Sequence, residues 1–331
     1  MTDKAKPSRT LTAAKVLNIA GPFLGLLFVT GLFAFSEELR PVFYTGANWK
    51  NIFTQTVIVA IGALGMTLII ISGGIDLSVG SVVALTSVVG ARLLEHHYSA
   101  PVTVLLTVAA GGLIGLINGS IIAGLRMMPF VVTLGMMGVA RGAAKWIASN
   151  QTVNFEGESA VTRVMEKISP ETFFPLPFGV WIALVLTCAV AVLLRRTVFG
   201  RYIFAIGSNE ATARLCGIAV RRQKVLIYTL AGFFFGLSGL MQLSRLTQGD
   251  PSVAAGLELD IIAAVVIGGA SLSGGTGSVM GSVVGALIMA VLRSGSSQMN
   301  WPNYVQEIII GIVIILAVGL DKLRQSQSAR A

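Results

Sequence analysis

One carboxylate stands in a glycine-rich break between two uncharged apolar runs. Asp76 lies in the segment 72–81, after Gly73 and Gly74 and before Ser78. A carboxylate at membrane depth costs about 2.5–3.5 kcal/mol on insertion scales, so it faces protein or water rather than lipid. Backbone that is not helical at that depth is tolerated only where protein buries it or where it lines a cavity. The break is therefore a candidate element of a transport pathway.

Two functions of Asp76 fit its surroundings. In the first, its side chain caps the following helix by accepting hydrogen bonds from free backbone N–H groups, with assistance from Ser78. In the second, Asp76 titrates and gates a pathway or relays protons. The residue types favour the cap, which gives Gly73 and Gly74 a structural role in the break.

A second break resembles the first. Gly268 and Gly269 interrupt another apolar tract and are followed, as in the first break, by Leu-Ser and then Gly-Ser. In a chain with 38 glycines so short a match supports an internal duplication only weakly. Gly268 and Gly269 are therefore interpreted as a structural break.

Three further polar side chains lie within apolar runs and could line a route across the membrane. They are Asn118, Thr133 and Arg141. Polar side chains in membrane helices also form hydrogen bonds between helices, and this is the favoured role for all three. Arg141 lies deep in its run and is expected to need a partner.

The segment 195–224 is the longest basic connection. Within it, Ser208 or Asn209 is a good N-cap, Glu210 suits the positive end of a helix, and Gly217 suits its C-terminal stop. These signals predict a short surface helix that presents small residues to a partner's groove. Resting on anionic headgroups is an equally good interpretation. The residues assigned to the partner contact are Ser208, Asn209, Glu210, Ala211, Ala213, Arg214 and Gly217.

No catalytic or metal chemistry is expected of this chain. The glycine run 268–277 contains no lysine, so it is not a nucleotide-binding loop of the G-x-x-x-x-G-K-[ST] type. The two cysteines form no disulfide framework, and the adjacent histidines His96 and His97 read as a solvated loop. We therefore expect no metal, no bound cofactor and, despite the net charge of +9, no nucleic-acid partner.

Composition identifies the elements that must position these residues. Hydrophobic residues make up 54% of the chain and charged residues 12%, about half the charged share of soluble proteins. Uncharged runs predict an all-α polytopic membrane protein with about ten transmembrane helices, some broken or re-entrant. The predicted spans are 16–35, 53–72, 77–94, 102–125, 130–147, 178–194, 225–243, 259–269, 277–292 and 304–320.

Charge and glycine spacing orient and pack these spans. Lys and Arg are about twice as frequent on the side that carries 195–224, which predicts cytoplasmic N- and C-termini. The predicted organisation is a cytoplasmic tail (1–15), a membrane domain (16–322) and a second tail (323–331). Glycines four residues apart, such as Gly111, Gly115 and Gly119, predict close helix packing.

Three stretches resemble the permease subunit of bacterial ATP-binding-cassette sugar importers of the ribose and xylose type. They are GGIDLSVGS (73–81), GRYIFAIGSNEATARLCGI (200–218) and ELDIIAAVVIGGASLSGGTGSVMGSVVGALIM (258–289). The resemblance covers about 16–322. It implies a non-enzymatic, multi-pass permease of the bacterial inner membrane that imports a monosaccharide, ribose or a similar pentose first, by alternating access.

The same resemblance implies a set of partners. They are a cytoplasmic ATPase that binds the ATP, a periplasmic sugar-binding protein, and a second permease copy, identical or paralogous, within membrane lipid. Another sugar, a nucleoside or a signalling sugar is the nearest alternative cargo. A proton-coupled secondary transporter that uses Asp76 is the alternative of another class, although such a carrier has no need for the helix in 195–224. A purely structural scaffold is disfavoured by the broken spans.

Overall fold

The computed structural model describes residues 9–35, 40–157, 159–164 and 176–328, and most of these residues are helical. Residues 1–8 and 329–331 of the two predicted tails lie outside this description. The elements in chain order are α1 (Arg9–Ala34), α2 (Arg40–Phe43), α3 (Gly46–Ile71), α4 (Val79–Glu95), α5 (Ala100–Leu125), α6 (Pro129–Ile147), β1 (Val153–Asn154), a 3-10 turn (Thr162–Val164), α7 (Phe178–Arg196), α8 (Val198–Ser208), α9 (Glu210–Leu215), α10 (Val220–Leu246), β2 (Gln248–Gly249), α11 (Leu257–Ile267), α12 (Val279–Gln298) and α13 (Asn303–Ser328).

Each of the ten predicted spans overlaps one α-helix, so the all-α polytopic fold is confirmed. In the part of the chain that the structure describes, six helices are long and apolar enough to cross a membrane: α3, α5, α6, α7, α10 and α12. Helix α4 has 17 residues and α11 has 11. At 1.5 Å per residue, α11 covers only about half of a hydrocarbon core of ~30 Å.

Several helices extend beyond the predicted spans because polar groups at their ends are satisfied. Helix α3 begins at Gly46 rather than residue 53, since the Thr45 side chain accepts a hydrogen bond from the Asn48 N–H at 3.2 Å. Helix α12 continues past residue 292 because Ser294 and Gln298 donate to the Asn48 side-chain oxygen at 2.8 and 2.6 Å. Ser294 and Gln298, whose polarity suggested that the helix had ended, instead form a contact between α12 and α3.

Helix α3 is the centre of the bundle. Every residue from Thr56 to Ile71 is buried, and α7, α10, α11 and α12 pack around it. The surrounding helices cover the apolar surface of α3 on all sides, as in the core of a protein. Its C-terminal end therefore delivers the first break into the protein rather than into lipid.

Glycines bring α5 and α10 into close contact. A Cβ added at Gly236 would lie 2.9 Å from the Val108 carbonyl oxygen, and one added at Gly119 would lie 2.9 Å from the Val225 Cα. Neither position can hold a side chain without separating the helices. The predicted small-residue packing is confirmed here.

Two ends of the bundle are distinguished by their connections. The basic end, as named here, consists of the turn 126–128, α8, α9 and the start of α10. The opposite end consists of the turn 96–99, the strands β1 and β2, and the loop 250–256. The strands pair antiparallel, with Val153 opposite Gly249.

Candidate functional site

Asp76 lies fully inside the protein, in the non-helical segment between α3 and α4. Its side chain is 1% exposed. One carboxylate oxygen, Oδ1, accepts hydrogen bonds from the Ser78 backbone N–H at 2.8 Å and from the Ser78 hydroxyl at 2.6 Å. Ser78 is the N-cap residue of α4 but makes no side-chain cap bond itself. The carboxylate thus holds the residue from which α4 starts.

Two neighbouring helices complete the group that we name the break cluster: Asp76, Ser78, Asn118 and Thr133. The Asn118 amide of α5 donates to Asp76 Oδ2 at 3.4 Å and to the Ser78 hydroxyl at 3.1 Å. The Thr133 hydroxyl of α6 accepts from the Leu77 N–H at 3.1 Å. Asn118 is 1% exposed and Thr133 is fully buried, so both tie helices together.

Sequence reasoning missed Tyr228, which faces this break from α10. Its side chain is 1% exposed, and a Cβ added at Gly74 would overlap its hydroxyl. Among the described residues, the Tyr228 hydroxyl and the Asn118 Oδ1 atom have no hydrogen-bond partner. The only signal in the sequence is a tyrosine within an apolar run, which has many ordinary explanations.

A second contact, which we name the glycine junction, joins both breaks to α8. It consists of Ile71, Gly73, Gly207, Gly274 and Gly275. The Gly275 N–H donates to the Ile71 carbonyl oxygen at 2.8 Å. A Cβ at Gly207 would overlap that carbonyl and lie 2.6 Å from the Gly275 nitrogen, and one at Gly274 would lie 2.9 Å from the Gly73 Cα. Side chains are excluded where these three backbones meet.

Gly268 and Gly269, the two glycines predicted to form the second break, lie outside the glycine junction. Helix α11 ends at Ile267, Gly268 is its C-cap, and a Cβ there would overlap the backbone of Gly281 in α12. Gly269 has a φ of +91°, a conformation that favours glycine, with nothing within 4 Å of an added Cβ. These two residues end α11, and the contact with the first break is made further along the loop.

The predicted surface helix is α9, and its caps are local. The Asn209 side chain accepts a hydrogen bond from the Thr212 N–H at 2.9 Å, whereas Ser208 is the last residue of α8. After Leu215 the chain turns through Gly217, whose φ is +83°. The N–H groups of Gly217 and Ile218 donate to the carbonyl oxygens of Arg214 and Ala213, both at 3.1 Å, as in a Schellman stop.

The exposed face of α9 differs from the expectation at one residue. Ala213, expected to contact a partner, is 4% exposed and packs against Ile206 and Val220 of its own chain. Ala211, Arg214 and Gly217 are exposed. Leu215, which the sequence did not single out, is 89% exposed. The accessible apolar side chain of this helix is therefore Leu215.

Glu210 fixes α9 to the start of α10. Its carboxylate forms ion pairs with Lys224 at 2.6 Å and with Arg214 at 3.0 Å. Partial burial acts to raise the pKa of the Glu210 carboxyl, but Lys224 and Arg214 outweigh it and hold that pKa below its ordinary value. Glu210 therefore carries its charge at neutral pH and keeps α9 in place.

A basic cavity of about 720 Å³ lies between α9 and the turn 126–128. Its charged lining is formed by Arg126, Glu210, Arg214, Arg221, Arg222 and Lys224. Arg126, Arg221 and Arg222 have no carboxylate partner in the part of the chain that the structure describes. An excess of unpaired guanidinium groups attracts anionic groups, from a protein or from lipid.

Arg141 does not belong to the break cluster. Its guanidinium donates to the carbonyl oxygens of Pro251 and Val253 at 2.9 and 2.6 Å. These bonds tie α6 to the loop 250–256 at the opposite end of the bundle. The expected partner is therefore backbone, and Arg141 lies apart from Asn118 and Thr133.

Comparison with known proteins gives a family and several relatives. Residues 48–318 match the family described as "Branched-chain amino acid transport system / permease component". The chain is 39% identical to the ribose import permease protein RbsC of Escherichia coli K12, over 91% of this chain and 93% of that protein. It is 36% identical to the L-arabinose ABC transporter permease protein AraH of Azospirillum brasilense, over 89% and 86%.

A third relative has a different cargo in its name. The chain is 33% identical to the fructose import permease protein FrcC of Rhizobium meliloti, over 90% of this chain and 84% of that protein. No solved structure matched the chain.

Proposed function

Since the chain belongs to the permease-component family of branched-chain amino acid transport systems, we propose that it carries a monosaccharide across the bacterial inner membrane as the permease subunit of an ATP-driven importer. Ribose or a similar pentose is the proposed cargo. The observation that carries this proposal is near full-length similarity to permeases named for ribose, arabinose and fructose, two of which are pentoses.

The geometry supports an assembly in which separate subunits bind ATP, deliver the sugar and carry it across the membrane. ATP is bound and hydrolysed by a separate ATPase that docks on the basic end, where α9 offers Leu215 and the basic cavity offers guanidinium groups. A periplasmic binding protein delivers sugar to the opposite end, and a second permease copy completes the transporter. This arrangement places the basic end in the cytoplasm, as the positive-inside rule predicts.

Movement of α9 can reach both breaks through rigid backbone contacts. Helix α9 follows α8 directly, and α8 ends in the glycine junction with Ile71 and Gly275. The first break is held in turn by α5 and α6 through the break cluster. A change in the position of α9 is therefore transmitted to the segments where α3 and α11 stop being helical. Proton coupling through Asp76 has less support, because both of its oxygens already accept hydrogen bonds from the protein.

Reconstitution tests the proposed function directly. In liposomes, the permease with its ATPase and binding protein is expected to accumulate ribose when ATP is supplied inside, on the side of the basic end. Permease alone under a proton gradient is expected to accumulate none. Accumulation driven by the gradient alone would contradict the proposal and favour the secondary transporter.

Truncating Leu215 to alanine is expected to weaken binding of the ATPase. An exposed apolar side chain at the centre of a docking surface contributes about 2 kcal/mol, which corresponds to ~30-fold in the dissociation constant. The measurement is capture of the ATPase by immobilised permease. Leu184 of α7 is 45% exposed and lies outside α9, so Leu184→Ala is the matched control. This variant should bind the ATPase normally. Equal affinity of the Leu215 and Leu184 variants would remove α9 from the docking surface.

A further inference from the structure

A cavity of about 180 Å³ lies at the start of the short helix α11. Helix α11 has 11 residues, whereas its neighbours α3 and α12 have 26 and 20. Near its start, Asp260 pairs with Arg293 of α12, which then continues to Gln298 toward the opposite end. Ala254 and Ala255 of the preceding loop line the space that remains.

The lining of this cavity, which we name the outer cavity, combines polar groups with an apolar wall. Five polar side chains come from four helices: Gln55 of α3, Gln242 and Arg245 of α10, Asp260 of α11 and Arg293 of α12. The wall is formed by Ile58, Val59, Ala254, Ala255 and Leu257. A few convergent polar groups over an apolar wall are typical of small-molecule sites.

Asp260 has an open hydrogen-bonding position. Its side chain is 1% exposed, and the Arg293 Nε donates to its Oδ2 atom at 2.6 Å. Its Oδ1 atom is buried and has no hydrogen-bond partner among the described residues. Buried polar atoms are nearly always paired, so an orphan carboxylate oxygen in a cavity lining points to a donor that is bound there. This pairing was not predicted from the sequence, because Asp260 and Arg293 are 33 residues apart.

The charges select the class of ligand. A cation would be repelled by the guanidinium groups of Arg245 and Arg293, which outnumber the carboxylate of Asp260. An anion, which brings no donor, would leave the Asp260 Oδ1 atom without a hydrogen-bond partner. Carboxylate oxygens only accept, guanidinium groups only donate, and the amides of Gln55 and Gln242 do both. Hydroxyl groups also do both, so a neutral ligand with several hydroxyls can satisfy the whole lining. The volume equals that of about six waters, which accommodates one sugar ring.

We propose that the outer cavity binds one monosaccharide at the end of the permease that receives it. The assignment deepens the proposed function and rests on it for the choice of a sugar over a zwitterionic amino acid, whose charges could also meet Asp260 and the arginines. A sugar held here would lie against α3 and α11, the two helices that lead to the breaks.

Protection of an introduced thiol tests the proposal in purified permease. The natural exposed cysteines are first removed as Cys188→Ser and Cys216→Ser, and Ala255→Cys then reports on the cavity while every polar lining group is kept. The probe is the rate of modification by a small charged thiol reagent. Ribose at twice its dissociation constant should slow modification about threefold, because bound ribose divides the modification rate by 1 + [L]/Kd.

Two matched variants define the specificity of this result. Tyr98→Cys reports on an exposed side chain in the turn 96–99 at the same end of the bundle, and ribose should not change its rate. Gln242→Leu, added to Ala255→Cys, keeps the side-chain size but removes a hydrogen-bonding amide, so the dissociation constant should rise at least about threefold. At the same sugar concentration, the slowing by ribose should then fall from about threefold to below about twofold.

The outcomes separate this inference from the proposed function. A preparation that imports sugar with its partners, yet shows no protection by ribose, arabinose or fructose, would overturn the outer-cavity assignment alone. Protection by leucine and by no sugar would overturn the choice of ligand. Protection by sugar in a permease that fails to import it with its partners would support the cavity and contradict the proposed function.

Discussion

Alanine at Gly207 is expected to abolish sugar import while the chain still inserts in the membrane and still binds its ATPase. The added Cβ would overlap the Ile71 carbonyl oxygen and lie 2.6 Å from the Gly275 nitrogen. Both are backbone atoms, so the clash cannot be relieved by rotating a side chain. Overpacking costs about 1–3 kcal/mol, and separating Gly275 from Ile71 costs a further ~1 kcal/mol of hydrogen bonding.

The expected defect is loss of coupling, because the exposed face of α9 is not altered by this substitution. ATPase capture should be normal, while import in liposomes falls to background. Gly135→Ala is the matched control, since an added Cβ in that helix has nothing within 4 Å. Import by the Gly207 variant at the rate of the Gly135 variant would show that α8 does not transmit movement to the breaks.

Leucine at Asp76 is expected to remove most of the folded, active permease, whereas asparagine retains most of it. With leucine, the Ser78 N–H and the Ser78 hydroxyl lose their buried acceptor, while the Asn118 amide keeps its bond to the Ser78 hydroxyl. Each buried donor left without an acceptor costs about 1–3 kcal/mol. The total is a large share of the ~5–15 kcal/mol by which proteins are stable.

Asparagine can reproduce this arrangement. Its side-chain oxygen can accept both bonds from Ser78. Its amide would face Asn118, whose Oδ1 atom is buried without a partner among the described residues and becomes an acceptor if the Asn118 amide rotates. The charge is therefore not required by the hydrogen-bond pattern of the break cluster.

The measurement for Asp76 combines monodisperse yield after size exclusion with sugar uptake at matched expression and two external pH values. The asparagine variant should show uptake close to wild type at both values, and the leucine variant should show little folded protein. An inactive asparagine variant that is folded and binds ATPase would mean that the carboxylate charge is used, and the cap interpretation would then be wrong.

Local physics made much of this protein predictable. The length of an uncharged run decides whether a segment can cross a bilayer, so the helices could be placed from sequence alone. Caps act over a few residues, and Asn209 with Gly217 was enough to bound α9. Gly73 and Gly74 likewise marked the first break, because they interrupt an apolar run. Helix ends were less predictable, because α12 continues through polar residues that are satisfied only by Asn48 of α3.

Which side of each element faces a partner was decided only by the tertiary structure. In α9, Ala213 is buried and Leu215 is exposed because of how the helix lies on α8 and α10, which its six residues do not encode. The glycine junction joins residues 71, 207 and 275, and the outer cavity joins α3, α10, α11 and α12. These contacts depend on packing between distant segments, whereas hydrophobic length and capping are properties of neighbours in the chain.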